Sequence, residues 1–220
     1  MELSYTEENY LKAIYHLSRG GENEVSTNTL ADEMQTRPAS VSDMIRKLNR
    51  KEVITYEKYQ GVNISDIGKS AALKVIRKHR LWEVFLVKEL NFSWDEVHEV
   101  AEQLEHIKSP LLISRLDKYL GFPKHDPHGD PIPDEHGQIY IIENYPIHDF
   151  KIGEKGQLVT VKNDSKDFLK YLEKIHAQLG VSIEIVDHIS FDGSMEISID
   201  GGAPVFISRE VAENLMVARI

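Results

Sequence analysis

The residues with the clearest chemical potential lie in one acidic stretch, HEVAEQLEH, at positions 98–106. On an α-helix, at 100° per residue, four of its side chains fall within an arc of about 100°: His98, Glu102, Glu105 and His106. Carboxylates on one helix face repel each other, and a divalent cation would offset that repulsion. One helix earlier, His79 and Glu83 have i, i+4 spacing and share a face. Two such helices packed together would form a metal site.

The ligand types restrict which metal such a site could hold. The chain has no cysteine, so only nitrogen and oxygen ligands are available. This set suits Mn²⁺, Fe²⁺ or Zn²⁺ and disfavours copper(I), and its carboxylates favour manganese. The alternative interpretation is a solvated acidic helix face with a few surface histidines. No role is assigned to the other histidines: His16, His125, His128, His136, His148, His176 and His188.

A second pattern is typical of DNA binding. Two short helices, at 27–34 and 38–51, are followed by an expected hairpin made of 53–56 and 62–64. This order predicts a winged helix-turn-helix, whose second helix enters the major groove. Its candidate base-facing residues are Arg37, Pro38, Ala39, Ser40, Ser42 and Asp43. Its candidate phosphate contacts are Arg46, Lys47, Arg50 and Lys51, with Lys58 in the wing. The alternative is an ordinary helical subdomain with surface lysines.

Charge and hydropathy limit the protein class. The 220 residues carry a formal charge of −10. Residues 36–80 contain 11 Lys/Arg and four acids, a net of +7, whereas residues 81–135 contain five and 12, a net of −7. A locally basic segment on an acidic chain suits a polyanionic partner. There is no apolar run of about 18–20 residues, no signal peptide and no disulfide framework. We therefore expect a soluble, cytoplasmic, globular protein.

The other elements follow from capping and periodicity. Ser4 and Glu7 have capping-box spacing at the start of a helix over 4–18, and Ser65 caps a long helix to about residue 89. The proline-rich segment after residue 120 is typical of a linker. Beyond it, short strands and one helix predict a small β-barrel. The fold class is therefore mainly α with a β tail.

Taken together, these motifs resemble the diphtheria toxin repressor family of metal-dependent repressors, in its manganese-responsive, three-domain branch. The resemblance rests on four segments: TEENYLKAIY, RKHRLWEVFLV, HEVAEQLEH and SPLLISRLDKYLGFPKHDPHGDPIP. It implies a winged helix-turn-helix DNA-binding domain over 1–64 and a helical dimerisation and metal-binding domain over 65–140. An SH3-like barrel domain is implied over 147–220.

The resemblance also implies two metal sites. The primary site comprises Asn9, Glu102, Glu105 and His106. The ancillary site comprises His79, Glu83 and His98, with Asp164 and Asp167 as candidate ligands from the barrel. Iron-sensing members have cysteine at the position of Glu102, so its carboxylate favours manganese.

Two positions depart from the family pattern. Asn9 stands where manganese sensors have aspartate, which leaves neighbouring Glu8 as an alternative ligand. Lys12 stands where two-domain manganese sensors have glutamate, so their paired-metal arrangement is not expected here.

The expected function is a metal-dependent repressor, activated by Mn²⁺, that binds a double-stranded DNA operator as a homodimer and controls metal-uptake genes. Membranes and small organic substrates are not expected partners. The alternatives are an iron- or zinc-responsive repressor of the same architecture and a metal-independent DNA-binding module. A dinuclear metallohydrolase would need an open metal position and a substrate cleft. The chain offers no nucleophile motif, so no enzyme activity is expected.

Overall fold

The computed structural model describes residues 2–57, 61–94, 96–140, 142–163 and 165–220. They form two compact units. The first comprises Met1–His79, Glu102–Ile113 and Pro133–Gln138, and the second comprises Arg80–Ala101, Ser114–Ile132 and Ile139–Ile220. Two candidate residues, Lys58 and Asp164, lie outside the described residues.

A winged helix-turn-helix occupies the N-terminal part of the first unit, as the sequence predicts. Its elements are α1 (Tyr5–Leu17), α2 (Thr27–Glu33), α3 (Pro38–Arg50), β1 (Ile54–Glu57) and β2 (Gly61–Ile64). The capping box of Ser4 and Glu7 opens α1, and Pro38 takes the first position of α3, where its missing N–H costs nothing. The two strands of the wing pair antiparallel.

One apolar core holds these elements together. Leu11, Ile14, Leu30, Ile45 and Leu48 are each at most 1% exposed. Full burial of such a side chain contributes about 1.5–3 kcal/mol. The spacing that predicted amphipathic helices therefore does define the buried faces of α1, α2 and α3.

Gly68 allows the next helix to start directly against the wing. A Cβ atom at position 68 would lie 1.9 Å from the carbonyl oxygen of Val53. That oxygen also accepts a hydrogen bond from the Ser65 amide, at 3.1 Å, and is therefore held in place.

We expect Gly68→Ala to lower the free energy of unfolding by about 3 kcal/mol, because the added methyl group forces the helix away from the wing. Chemical denaturation of the purified variant measures this loss. Ser70→Ala, at an exposed position on the same helix, is the control and should unfold like the wild type. Equal stability of both variants would contradict the close packing.

Three more helices follow: α4 (Asp66–Leu90), α5 (Val97–Leu104) and α6 (Pro110–Tyr119). None of the described helices combines the length and apolar character that a membrane span requires. After α6 the chain enters the proline-rich segment, which the sequence analysis interpreted as a linker. That interpretation was wrong, because Asp126, His128 and Ile132 are buried there.

The C-terminal part of the second unit is a six-stranded antiparallel sheet, in agreement with the predicted SH3-like barrel. Its strands are β3 (Tyr145–Pro146), β4 (Lys155–Val161), β5 (Ser182–His188), β6 (Met195–Ile199), β7 (Val205–Ile207) and β8 (Leu215–Arg219). The order across the sheet is β3-β8-β4-β5-β6-β7. Two helices, α7 (Lys166–Lys174) and α8 (Arg209–Asn214), accompany it. Three of these elements, α8, β3 and β8, were not predicted from the sequence.

Candidate metal centre and nucleic-acid interface

Five polar side chains of the first unit form one network of contacts centred on the carboxylate of Glu105, and we call them the primary cluster: Glu8, Lys12, His79, Glu105 and His106. Lys12 Nζ lies 2.8 and 2.9 Å from the two oxygens of Glu105. His79 Nδ1 lies 2.6 Å from Glu105 Oε2. His106 Nε2 lies 3.6 Å from Glu105 Oε1, and its Nδ1 lies 2.6 Å from Glu8 Oε2. The imidazoles and carboxylates thus converge rather than pointing apart.

Burial and charge shape the chemistry of Glu105. Its side chain is 1% exposed. Burial by itself would raise the pKa of this carboxyl, but the hydrogen bond with His79 and the charge of Lys12 hold the pKa below its ordinary value. Glu105 is therefore an ionised oxygen donor shielded from water, which is a good ligand for a hard divalent cation.

The elements that position these side chains differ in part from the sequence analysis. Helical periodicity was expected to continue to His106, but α5 ends at Leu104 and the next two residues form a turn. The prediction of one continuous helical face was therefore wrong beyond Leu104. The turn places Glu105 and His106 in the primary cluster, while His98 belongs to the second unit.

Asn9 and Glu8 were both candidate ligands from α1. Glu8 contacts His106 directly, as described above. The Oδ1 atom of Asn9 is buried and accepts no hydrogen bond from the described residues. A buried acceptor without a donor costs about 1–3 kcal/mol, and a cation would satisfy it. The donors of this region therefore fit a divalent metal.

Glu102 reaches the primary cluster through Lys12. Its carboxylate lies 3.6 Å from Lys12 Nζ, and its side chain is 52% exposed. The Lys12 ammonium therefore contacts both Glu102 and Glu105. In the structure, this internal cation supplies positive charge to the two carboxylates.

A second cluster lies within the second unit, and we call it the loop cluster: Glu83, His98, Asp126 and His128. Glu83 Oε1 lies 3.4 Å from His98 Nδ1 and 3.7 Å from His128 Nε2. The Glu83 side chain is 2% exposed. Burial, together with the charges of Glu83 and Asp130, raises the pKa of Asp126 well above its ordinary value. On α4, Glu83 follows His79 by one helical turn.

Asp126 and His128 were not identified from the sequence, although their loop is built to present them. Asp126 Oδ1 accepts hydrogen bonds from the amides of His128 and Asp130, at 2.8 and 2.9 Å. Gly129 has φ +87°, and a Cβ there would lie 1.8 Å from the carbonyl oxygen of Val159 on β4. The sequence did contain a signal for this cluster, since the five residues DPHGD include three possible metal ligands, Asp126, His128 and Asp130.

The barrel candidates lie near the start of α7. Lys166 Nζ is 2.6 Å from Glu99 Oε1, so this end of α7 contacts α5 within the second unit. Asp167 lies in the first turn of α7 and is exposed. The other candidate, Asp164, lies outside the described residues.

The predicted DNA-reading face of α3 is open. Most of its candidates are exposed: Arg37, Pro38, Ala39, Ser40, Asp43, Arg46, Lys47 and Arg50. Ser42 is half-buried and donates its hydroxyl to the carbonyl of Pro38, at 2.9 Å. Asp43 and Arg46 form an ion pair. Val41, on the opposite side of the helix, is buried in the core of the domain.

The buried carboxylate of Glu7 connects α1 to α3 and to the residue that follows it. The Glu7 side chain is 1% exposed, and its Oε1 lies 2.8 Å from Lys51 Nζ and 3.3 Å from Lys47 Nζ. Its Oε2 accepts the Ser4 amide at 2.7 Å. Burial would raise the pKa of Glu7, but the bonds from Lys51 and Ser4 lower the pKa to about 2. Lys47, a candidate phosphate contact, therefore also forms an ion pair inside the DNA-binding domain.

Glu7 predicts a pH dependence of stability. The pKa falls from an ordinary value of 4.5 to about 2 on folding, so the stabilisation is complete above pH 4.5 and is lost as the pH falls towards 2. The stability difference between wild type and Glu7→Gln should shrink by about 2 kcal/mol from pH 6 to pH 3. Urea denaturation of both proteins across this range measures the difference. A stability difference that does not change with pH would contradict the low pKa of Glu7.

Three family descriptions match successive parts of the chain. The iron dependent repressor N-terminal DNA binding domain matches residues 2–62. The iron dependent repressor metal binding and dimerisation domain matches residues 65–134. The FeoA domain matches residues 145–219.

Individual proteins give the same result. The diphtheria toxin repressor of Corynebacterium diphtheriae is 30% identical over 213 residues, which are 91% of each protein. The iron-dependent repressor IdeR of Mycobacterium tuberculosis is 33% identical over 132 residues, or 60% of this chain, and the match spans only 57% of that protein.

Solved structures agree as well. A manganese-dependent transcriptional repressor in complex with manganese is 33% identical, with a TM-score of 0.85 over 97% of this chain and 100% of its own. ScaR with bound Zn²⁺ is also 33% identical, with a TM-score of 0.76 over 97% of this chain and 99% of its own. These matches confirm the predicted family and favour a regulator over an enzyme. The chain belongs to the iron-dependent repressor family of metal-dependent, DNA-binding transcriptional repressors.

Proposed function

We propose that this protein is a manganese-activated repressor of metal-uptake genes. The observation that carries the proposal is the primary cluster, where the ionised, buried carboxylate of Glu105 and the imidazoles of His79 and His106 converge. On α1, the buried Oδ1 of Asn9 accepts no hydrogen bond from the described residues. Its donors are nitrogen and oxygen only, and they are rich in carboxylates, which favours Mn²⁺. A related solved structure is a complex with manganese. Fe²⁺ and Zn²⁺ remain the alternative activators.

For the primary site we propose Asn9, Glu102, Glu105 and His106 as ligands. The contact between Glu8 and His106 supports Glu8 as a second contributor from α1. A bound divalent ion would supply two positive charges that draw the side chains of α1 and of the turn after α5 together. Since α1 also packs in the core of the DNA-binding domain, its position affects the reading helix.

For the ancillary site we propose His79, Glu83 and His98. The positions of Asp126 and His128 around Glu83 support their addition to this site. Asp164 and Asp167 remain candidate ligands from the C-terminal domain. The proposed domain limits are 1–64 for DNA binding, 65–140 for dimerisation and metal binding, and 147–220 for the barrel.

DNA recognition requires two copies of α3 with fixed spacing. We propose a homodimer that places its reading helices one DNA turn apart, about 34–36 Å, over a double-stranded operator in the cytoplasm. Arg37, Ser40 and Asp43 would face base edges, while Arg46 and Arg50 would contact phosphates. Lys58 is a further proposed phosphate contact from the wing.

A binding experiment tests the proposal. Duplexes enriched from a random library by the manganese-loaded protein serve as the probe. Their affinity is then measured by gel shift with Mn²⁺ and with a chelator. We expect manganese to tighten binding by about 5- to 150-fold, the usual range of such coupling. Equal affinity in both conditions would favour a metal-independent DNA-binding module and contradict the proposal.

A further inference from the structure

We propose that Glu7 is the positioning residue that transmits metal binding in the primary cluster to the reading helix α3. The inference rests on the proposed function, because it concerns the same metal site. The metal ligands and the DNA contacts lie on different elements, so some group must connect them. Glu7 occupies that place, with one carboxylate shared between α1 and α3.

The metal-facing side of this connection is the segment around the start of α1. Glu8, which contacts His106, directly follows Glu7. The Tyr5 ring stacks on the His106 ring, with 4.8 Å between centroids and 20° between planes. Lys108 donates to the carbonyl of Leu3 at 3.0 Å. A shift of the turn at Glu105–His106 would therefore displace the first residues of the chain as well.

The DNA-facing side of the connection consists of two lysines, Lys47 in the last turn of α3 and Lys51 directly after the helix. Lys51 contacts both oxygens of Glu7, at 2.8 and 2.9 Å, and donates to the carbonyl of Glu2 at 3.0 Å. Lys47 lies 3.3 Å from Glu7 Oε1. These bonds fix the direction of α3 relative to the N-terminus of α1, which apolar contacts alone specify poorly.

Of Glu7, Lys47 and Lys51, Glu7 is the residue whose contacts water cannot replace. Glu7 is 1% exposed, whereas the side chains of Lys47 and Lys51 are 47% and 28% exposed. Without the carboxylate, both lysines can turn to water. The helices would keep their apolar packing, but α3 would lose its polar connection to the metal site. Metal binding would then be retained and its effect on α3 lost.

Hydrogen exchange of the full chain tests the proposal without requiring a known operator. Exchange rates of α1 and α3 amides are measured by mass spectrometry with manganese and with a chelator, and manganese affinity is measured by calorimetry. In the wild type we expect manganese to slow exchange in both helices, in α3 by about fivefold or more. In Glu7→Gln we expect manganese to bind within about threefold of wild type and to slow exchange in α1 only.

Two further variants separate coupling from simple destabilisation. Lys51→Met removes the other half of the ion pair, so it should also abolish the effect on α3, and the double variant should add little. Glu24→Gln is the control, because Glu24 accepts from Asn63 at the wing rather than joining α1 to α3. It should behave like the wild type. If Glu7→Gln does not fold, Lys51→Met alone decides the question.

The possible results are distinguishable. If the wild type binds no manganese, or binds it equally well after Glu105→Ala, the proposed function itself fails. If manganese binds but slows α3 exchange in Glu7→Gln or Lys51→Met as much as in the wild type, only the role of Glu7 is overturned. The same holds if manganese leaves α3 exchange unchanged in the wild type.

Discussion

Replacing Glu105 by Gln is expected to weaken manganese binding at the primary site by about 100-fold or more. The substitution keeps the shape of the side chain but removes the charge that a divalent cation needs. It also replaces one of the two buried carboxylate oxygens that Lys12 and His79 contact with an NH2 group, which donates hydrogen bonds and cannot coordinate a cation. Manganese-dependent DNA binding should be lost to the same extent, because the two equilibria are linked.

Calorimetry with Mn²⁺ and a gel shift with a library-selected duplex measure both effects. The control is Glu184→Gln, which removes an exposed carboxylate paired with Lys155 on the C-terminal sheet. We expect it to match the wild type in both measurements. Retained manganese affinity in Glu105→Gln would show that the primary cluster does not bind the metal.

The second large effect is expected in the opposite direction. Lys12→Met should tighten manganese binding by about tenfold, equivalent to about 1.4 kcal/mol. Lys12 contacts Glu105 at 2.8 Å and Glu102 at 3.6 Å, so its ammonium competes with any other cation for these carboxylates. Two opposite charges about 4 Å apart near a protein surface attract each other by several kcal/mol before solvent effects are included. Part of that attraction must be given up when a metal binds.

The same variant should be less stable in the absence of metal, because it leaves Glu105 buried with only its histidine partners. Thermal unfolding with and without Mn²⁺ should therefore show a larger stabilisation by metal than in the wild type. Lys12→Arg retains the charge and is the matched control. Unchanged or weaker manganese binding in Lys12→Met would show that the ammonium does not compete with the metal.

Local signals in the sequence predicted much of the DNA-binding domain. The capping box of Ser4 and Glu7 and the proline at position 38 each mark a helix start through a specific backbone requirement. The buried stripe of α3 follows from three- and four-residue spacing. These signals act over a few residues, so a single sequence suffices to detect them.

The metal centre required information that periodicity does not contain. Lys12 and Glu105 are 93 residues apart, and no local pattern indicates their ion pair. The end of α5 at Leu104 was missed because the apolar and acidic spacing continues into the turn. His128 was assigned no role because it lies in a proline-rich loop, and Asp126 was not considered, although Asp126 closes that loop through backbone hydrogen bonds.

The contact between Gly129 and β4 has a consequence for shortened forms of this protein. Because the backbone at Gly129 lies directly against Val159, the loop that carries His128 rests on the C-terminal sheet. A chain ending before residue 145 would lack that support, and the imidazole would lose its fixed position beside Glu83. The C-terminal sheet thus supports the loop that carries Asp126 and His128, the proposed ancillary ligands, and its removal would change more than the size of the protein.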